Sequence, residues 1–285
     1  MPRLLAYLHV YYHDQIPWFL EKLSHIEGCD WDLVVSWSEP RAESEALIRS
    51  FKADARFLQV ENAGYDIWPF IKLLRSIDLD AYDFLLKLHT KNSSSKRSRI
   101  NGLNLRGFRW RDLLVDALLG SPQQFRSVLD AMTADPLSGI ACNAALVCKL
   151  TRGLPEDTDP LFNEMERIGL KTENLRFAGG TMFVARTQPL KYIRDLDLTA
   201  ESFSGAPVSH GYGSLAHIYE RIISFAVTAQ GYRIVPVESH PAVLRRVRIH
   251  AVTQPVISWL FALERRGPER HKYLVIFGIP IKLKG

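Results

Sequence analysis

The chain lacks the motifs that identify several large enzyme classes. No GxGxxG segment follows the first apolar run and no GxxxxGK[ST] segment occurs, which argues against a dinucleotide-binding fold and a P-loop NTPase. A GxSxG elbow and an HExxH helix are also missing. The only cysteines, Cys29, Cys142 and Cys148, have neither disulfide-framework nor zinc-site spacing. We therefore expect a reducing compartment, the cytoplasm.

Long apolar runs are missing as well. No window approaches the uninterrupted apolar length that a bilayer requires, and no basic segment followed by a long apolar stretch opens the sequence. We expect a cytoplasmic protein that is either soluble or peripheral at a membrane.

Acidic residues are missing from one part of the chain. The formal net charge is +5, but residues 87–111 carry eight Lys or Arg residues and no acid, and residues 241–285 carry nine against Glu264 and Glu269. A nucleic-acid-binding module is one explanation of this charge. The other 215 residues are not basic and show no nucleic-acid-binding motif, so we expect no nucleic-acid partner.

The pattern of apolar residues indicates an α/β fold. Apolar runs that read as strands alternate with amphipathic helices, and the connections between them are short. This pattern favours a mostly parallel sheet covered by helices on both faces. The predicted strands span residues 4–12, 31–37, 55–60, 82–90, 138–147, 175–186 and 232–237.

A cationic segment follows the fourth predicted strand. In KLHTK, Lys87, His89 and Lys91 alternate along the strand and should share one face. Three such groups suit a phosphate or diphosphate. A solvated edge with its lysines reaching into water is the alternative. The position of Lys87 inside an apolar run argues against that alternative, because an unpaired buried charge is costly.

Three further segments admit both a structural and a functional explanation. In ENAGYDIWPF, Asn62, Gly64 and Asp66 could contact a ligand, although spacing alone favours an Asx turn before a helix. AGGTMFVAR could be a packed strand or a place of close approach to the backbone. SLAHIYERI places His217 and Arg221 on one helix face, which is most often a structural arrangement.

Taken in order, HVYY, ENAGYDIWPF, KLHTK, the pair Trp110–Arg111, GGTMFVAR and AHIYERI resemble the rhamnan synthesis protein F family of bacterial polysaccharide glycosyltransferases. The resemblance covers about residues 4 to 235. It implies a GT-A-like (Rossmann-like) nucleotide-diphosphosugar transferase fold and a role in building rhamnose-containing or related cell-surface glycans.

The resemblance also implies roles for individual residues. We expect Glu220, or failing that Asp66, to be the catalytic base of an inverting transfer. The expected donor-binding residues are His9, Tyr11, Asn62, Gly64, Asp66, Lys87, His89, Lys91 and Arg111. The expected acceptor-binding residues are Gly180, Thr181, Met182, His217 and Arg221.

The acidic Asp-x-Asp motif that holds a metal in many GT-A enzymes has no counterpart here. His-Thr-Lys stands in its place, and hard cations prefer oxygen ligands. We expect that no metal is required, with Mg²⁺ or Mn²⁺ assistance as the alternative. The expected donor is dTDP-rhamnose, and the alternatives are a UDP- or GDP-linked sugar or a non-catalytic scaffold of the same fold.

The basic end of the chain is predicted to lie outside the main domain. We expect a glycosyltransferase domain over residues 1–240 and a basic, apolar extension over residues 241–285. The extension could contact the cytoplasmic face of the inner membrane, where a lipid-linked or polysaccharide acceptor would be met, or it could pack on the domain.

Overall fold

The computed structural model describes residues 1–92, 98–150, 155–204, 214–237, 241–266 and 271–283. Its strands are β1 (Arg3–His9), β2 (Asp30–Trp37), β3 (Arg56–Gln59), β4 (Phe84–His89), β5 (Ser98–Ile100), β6 (Leu103–Leu105), β7 (Ser138–Asn143), β8 (Val147–Lys149), β9 (Arg176–Ala178), β10 (Phe183–Arg186), β11 (Arg233–Val237), β12 (Phe261–Arg266), β13 (His271–Ile276) and β14 (Ile279–Lys282). Its helices are α1 (Ile16–Leu23), α2 (Ala42–Phe51), α3 (Ile67–Ser76), α4 (Gly107–Leu119), α5 (Pro122–Ala134), α6 (Pro155–Arg167), α7 (Lys191–Arg194), α8 (Leu215–Ala229) and α9 (Pro241–Leu260).

A seven-stranded sheet in the order β11-β7-β10-β4-β1-β2-β3 forms the centre of the chain. Strands β3, β2, β1 and β4 are parallel, and β11 is parallel to β7, whereas β10 is antiparallel to both β4 and β7. The expected α/β class with a mostly parallel central sheet is confirmed. Every residue of β4 is buried, as the continuous apolar run before Lys87 predicts for a strand covered on both faces.

Two apolar layers cover the sheet. Helices α1, α2, α4 and α5 pack on one face, with Phe19 and Phe125 fully buried. Helices α3, α6, α7 and α8 pack on the other, with Phe70 and Phe225 fully buried. Local sequence helps to start these helices: Ser121 accepts a hydrogen bond from the backbone N–H of Gln124 (3.1 Å) at the start of α5, and Pro122 follows it.

The segment 175–186 differs from the single strand expected there. It forms β9, which pairs with β8 in a small separate sheet, and β10, which joins the central sheet. The turn between them holds Gly180 and Thr181, both with positive φ (86° and 50°). Because β10 is reversed, this turn lies beside the end of β4: Phe183 pairs with Lys87.

The residues after β11 form α9 and a three-stranded antiparallel sheet in the order β12-β13-β14. The first turns of α9 touch the main part of the chain, where Leu244 is buried with the core of α4 and α5. Within the described part of the chain, no helix combines the length and the hydrophobicity needed to cross a bilayer.

Candidate active site

A cleft opens at the carboxyl edge of the central sheet. From β1 the chain adds β2 and β3 on one side and then β4 on the other, so the boundary between β1 and β4 is the switch point where open α/β sheets bind ligands. His9 and His89 end these two strands and are register partners. The cavity has a volume of about 610 Å³. Its walls are the ends of β1 and β4, the turn before α3, the start of α4, the Gly180–Thr181 turn and the first turns of α8.

A buried ion pair forms the floor beneath this cleft. The Lys87 ammonium contacts Oδ2 of Asp66 (2.5 Å) and donates to the carbonyl of Thr181 (3.0 Å). The Thr181 hydroxyl donates to the same Asp66 oxygen (2.6 Å). The Lys87 side chain is fully buried and that of Asp66 is 16% exposed. Three distant segments of the sequence therefore meet at one carboxylate.

The charge of Asp66 is fixed by these neighbours. Burial alone would raise the pKa of this carboxyl, but the adjacent His89 and Lys87, together with the hydrogen bonds from Lys87 and Thr181, outweigh burial and hold the pKa far below its usual range. Asp66 is thus a persistent anion, and a weak proton acceptor. Lys87 does not line the cleft. Its ammonium contacts Asp66 and not, as expected, a ligand.

Two left-handed turns present the polar groups of the floor. Gly64 and Tyr65 both have positive φ (62° and 55°), as do Gly180 and Thr181. A β-branched residue such as Thr181 rarely adopts this conformation, and such strain is concentrated at functional sites. A side chain at Gly64 would also clash with the ring of Phe203, whose Cγ lies 2.8 Å from the place of the missing Cβ. Gly64 therefore shapes the turn that carries Asp66.

The two histidines at the switch point are neutral near pH 7. Burial lowers the pKa of His9 to about 4, and burial lowers that of His89 well below its ordinary value although Asp66 acts to raise it. The Nδ1 atom of His89 lies 3.4 Å from Oδ1 of Asp66, which places the ring proton on Nδ1. Its Nε2 atom is then an acceptor; it is buried and has no hydrogen-bond partner among the described residues. His89 is thus neutral and lacks the positive charge expected of it.

A hydrogen-bonded chain sets the ring of His9. The buried Tyr7 hydroxyl lies 2.7 Å from Oγ of Ser36, and Nδ1 of His9 lies 2.9 Å from the same atom. The Ser36 hydroxyl thus contacts both the Tyr7 hydroxyl and the His9 ring, and it fixes the orientation of that ring. The His9 ring lines the cleft in this orientation.

Lys91 is the cation of the predicted trio that reaches the cleft. Its ammonium lies 4.0 Å from the centre of the Trp110 ring, and no described carboxylate lies within ion-pair distance of it. Its backbone is fixed by two hydrogen bonds with the Gln15 side chain. Burial lowers the pKa of Lys91, and the charges of Asp66 and Glu220 act in the opposite direction. An anion bound in the cleft would stabilise this ammonium.

Glu220 enters the cleft from the second turn of α8. Its Oε1 atom accepts a hydrogen bond from the backbone N–H of Gly180 (2.7 Å), so the Gly180–Thr181 turn holds both carboxylates of the cleft. His217 lies one turn earlier and forms the capping box of α8 with Ser214. Its ring also contacts Tyr65 edge-on, at a centroid distance of 5.5 Å. Among the described lining residues, the site therefore combines the cation of Lys91 with the carboxylate of Glu220, one oxygen of which accepts from Gly180.

Comparison with known proteins assigns the family. Residues 2–232 match the family described as rhamnan synthesis protein F, RgpF. The chain belongs to this family. Two curated relatives, each named uncharacterized protein WxcX and found in two strains of Xanthomonas campestris pv. campestris, are 29% identical over 240 residues. The alignment covers 83% of this chain and 33% of each relative, so the chain spans about a third of their length.

Two solved structures show partial similarity to this chain. Staphylococcus aureus TarS 1–349 in complex with UDP matches 88% of this chain and 65% of that chain, at 13% identity and a TM-score of 0.43. The mannosyltransferase PcManGT of Pyrobaculum calidifontis, in complex with GDP-Man and Mn²⁺, matches 90% of this chain and 64% of that chain, at 13% identity and a TM-score of 0.40. With TM-scores below 0.5, these similarities carry no weight for substrate, metal or mechanism. Family membership rests on the match over residues 2–232.

Several residues carried over from the RgpF family motifs lie outside the cleft. Arg111 is buried between the rings of Trp18 (3.7 Å) and Phe108 (4.3 Å) and is paired with Asp112. Met182 is fully buried in the core under β4. Arg221 lies over the ring of Phe177 and donates to the carbonyl of His217. These three side chains support the walls and do not face the cavity.

Other expected residues do line the cleft. Some further lining residues were not predicted from the sequence. Of the residues expected at the site, the cleft is lined by His9, Tyr11, Asn62, Asp66, His89, Lys91, Gly180, Thr181, His217 and Glu220, and their individual roles stay predictions. Trp110, Tyr65 and Thr90 were missed as site residues. The Thr90 hydroxyl accepts from the backbone N–H groups of Tyr11 and Tyr12 (2.9 and 3.0 Å), a link that no local pattern reveals.

A metal site held by the protein alone does not fit this set of side chains. No group of three or more His, Cys, Asp or Glu residues in the described ranges could hold a metal ion. Asp66 already accepts from Lys87 and Thr181, and the neighbouring cleft residue Lys91 is an ammonium, which cannot be a ligand of a hard cation.

The Asp66–Lys87 pair predicts a large loss of stability when one partner is removed. Lys87→Met leaves Asp66 without its cation, and we expect the free energy of unfolding to fall by about 3–5 kcal/mol in chemical denaturation. The exposed pair of Lys72 with Glu61 (2.9 Å) gives a matched control, since Lys72→Met should cost about 1 kcal/mol or less. Adding Asp66→Asn to Lys87→Met should recover part of the loss. Equal effects of Lys87→Met and Lys72→Met would contradict a buried, structural pair.

Burial of neutral His9 predicts sensitivity to acid. The folded pKa is about 4 against 6.5 unfolded, so the unfolded chain binds the proton first as the pH falls. The stability linked to His9 is complete above pH 6.5 and is lost towards pH 4; from pH 7.5 to 5.0 it falls by about 2 kcal/mol. In His9→Asn, the decrease in unfolding free energy between these two pH values should be smaller by about this amount. An unchanged decrease would rule out a buried neutral His9.

Proposed function

We propose that this chain is an inverting glycosyltransferase that moves rhamnose from dTDP-rhamnose to a growing cell-surface polysaccharide or lipopolysaccharide acceptor. The observation that supports it best is the placement of Lys91 and Glu220 in one switch-point cleft of an RgpF-family chain. In this proposal the reaction takes place at the cytoplasmic face of the inner membrane, where the acceptor is lipid-linked, and requires no divalent metal.

In this proposal Lys91 neutralises the diphosphate leaving group. It is the member of the KLHTK trio that both lines the cleft and lacks a carboxylate partner among the described residues. A partly desolvated ammonium gains strongly from a phosphate oxygen. Lys87 contributes indirectly, because its charge is already matched by Asp66. His9 is proposed as a further hydrogen-bonding partner of the diphosphate.

Glu220 is the proposed general base, which takes the proton of the acceptor hydroxyl as that oxygen attacks the anomeric carbon. Asp66 is the weaker choice, because its pKa is held far below the usual range and both of its oxygens face donors. One oxygen of Glu220 is held by Gly180, which leaves the other for a substrate. Gly180, Thr181 and His217 form the proposed acceptor wall.

His89 is proposed to select the sugar. Its Nε2 atom is an acceptor without a described partner, so it suits a hydroxyl of the donor sugar and not a phosphate oxygen. A buried acceptor left without a donor costs free energy, and binding a hydroxyl-bearing sugar removes that cost.

A panel of nucleotides tests the donor class. Thermal unfolding with dTDP, UDP or GDP, in EDTA and again with Mg²⁺, should show the largest stabilisation with dTDP, and without need of Mg²⁺. Lys91→Met should abolish most of that shift, whereas Lys171→Met, at an exposed lysine outside the cleft, should keep it. No shift with any nucleotide would favour a non-catalytic scaffold, and a shift that requires Mg²⁺ would overturn the metal-free proposal.

Glu220→Gln tests the base. The amide oxygen can still accept from Gly180, so folding and dTDP binding should persist, while kcat for sugar transfer should fall by about 10²–10⁴-fold. Glu166→Gln, at an exposed position on α6, is the matched control and should keep wild-type turnover. NMR of the product should report inverted anomeric configuration. Turnover of Glu220→Gln within twofold of wild type would exclude Glu220 as the base.

A further inference from the structure

The register of the C-terminal sheet places six apolar side chains on one face. Phe261 pairs with Ile276, which pairs with Ile279; Leu263 pairs with Leu274, which pairs with Ile281. Directly opposed residues share a face, and residues two apart along a strand share it too. The face that consists of Phe261, Leu263, Leu274, Ile276, Ile279 and Ile281 is called the apolar sheet face below.

Nothing in the described part of the chain covers the apolar sheet face. Phe261, Leu263, Ile279 and Ile281 are 60%, 65%, 65% and 48% exposed. The opposite face carries Val275, which is only 3% exposed, and the sheet contacts α9. An antiparallel sheet packed on one face normally presents polar side chains on the other, and an uncovered apolar face of this kind marks an interaction surface.

An aromatic pair extends this face at one end. Trp259 and Phe277 are 56% and 61% exposed, and their rings meet edge-on at a centroid distance of 5.7 Å. The backbone N–H of Gly278 donates to the carbonyl of Trp259 (2.7 Å), which fixes the β13–β14 turn against the end of α9. Exposed aromatic side chains with a polar ring atom favour the boundary between water and lipid.

The charge around the apolar sheet face favours an anionic partner. Residues 241–285 hold nine Lys or Arg residues against two acids. Among the described side chains of the sheet, Lys272 and Lys282 are exposed. Basic residues beside an apolar, aromatic surface are typical of proteins that bind the anionic surface of a bilayer.

We propose that the apolar sheet face and the Trp259–Phe277 pair insert into the headgroup layer of an anionic phospholipid membrane. The basic side chains around them contact lipid phosphates. The proposal assigns membrane binding to a folded sheet face, whereas the sequence indicated only a basic, apolar tail. It does not depend on sugar transfer, since binding requires neither nucleotide nor acceptor.

Co-sedimentation with vesicles tests this surface without any nucleotide present. Wild type should bind vesicles that contain phosphatidylglycerol more tightly than pure phosphatidylcholine vesicles, and high salt should weaken that binding. The double variant Leu263→Asn, Ile281→Asn should weaken it by about tenfold or more. Leu47→Asn and Leu137→Asn, at exposed leucines on α2 and before β7, are the controls and should bind as wild type does.

Circular dichroism and thermal unfolding of each variant show whether it is folded. For a folded double variant, wild-type vesicle binding overturns the proposal, as does a wild type that binds neither vesicle. Light scattering that shows a wild-type dimer, lost in the double variant, would assign the face to a second copy of the chain and overturn the membrane role. None of these outcomes depends on whether dTDP binds.

Discussion

The ion pair between Asp66 and Lys87 is the contact on which the cleft depends. One carboxylate oxygen receives the ammonium of β4 and the hydroxyl of Thr181, so it joins the turn before α3, the central strand and the turn before β10. Removing a carboxylate or an ammonium from water costs free energy. Here the attraction between the two ions and their further hydrogen bonds offset that cost. The Thr181 carbonyl completes the set by accepting from Lys87. The pair thus positions three loops whose residues are far apart in sequence.

The same pair changes what the cationic segment can do. The alternation of Lys87, His89 and Lys91 along one strand suggests three equivalent cations, but burial gives each a different state. Lys87 is matched by Asp66, His89 is neutral with a free acceptor atom, and Lys91 keeps a charge that faces the cavity. Among the described residues, the cleft therefore combines a charge-matched floor with one cation at its rim, Lys91.

Much of the fold could be predicted from the sequence, since the apolar runs of β1, β2, β3, β4, β7 and β11 and the amphipathic helices are local patterns. The positions of Asn62, Asp66, His89, Lys91, Gly180, Thr181 and Glu220 around one cleft agree with the order of the family motifs. The contacts of Thr181 with Asp66 and Lys87 were out of reach, because they depend on β10 running antiparallel to β4, and no local pattern encodes strand direction. The burial of Arg111 between two aromatic rings was missed for a different reason, since an arginine in the core and one at a ligand look alike in sequence.

The turn Gly180–Thr181 explains how the two carboxylates of the cleft acquire different properties. Its backbone N–H groups and hydroxyl point in different directions because two successive residues have positive φ. The Thr181 hydroxyl and its carbonyl are used on the Asp66–Lys87 pair, whereas the Gly180 N–H holds one oxygen of Glu220. Asp66 is therefore saturated with donors and fixed as an anion, while Glu220 is oriented by one hydrogen bond and keeps an oxygen open to the cavity. A strained turn costs folding free energy, and here that one turn holds both carboxylates of the cleft, each in a different hydrogen-bonding state.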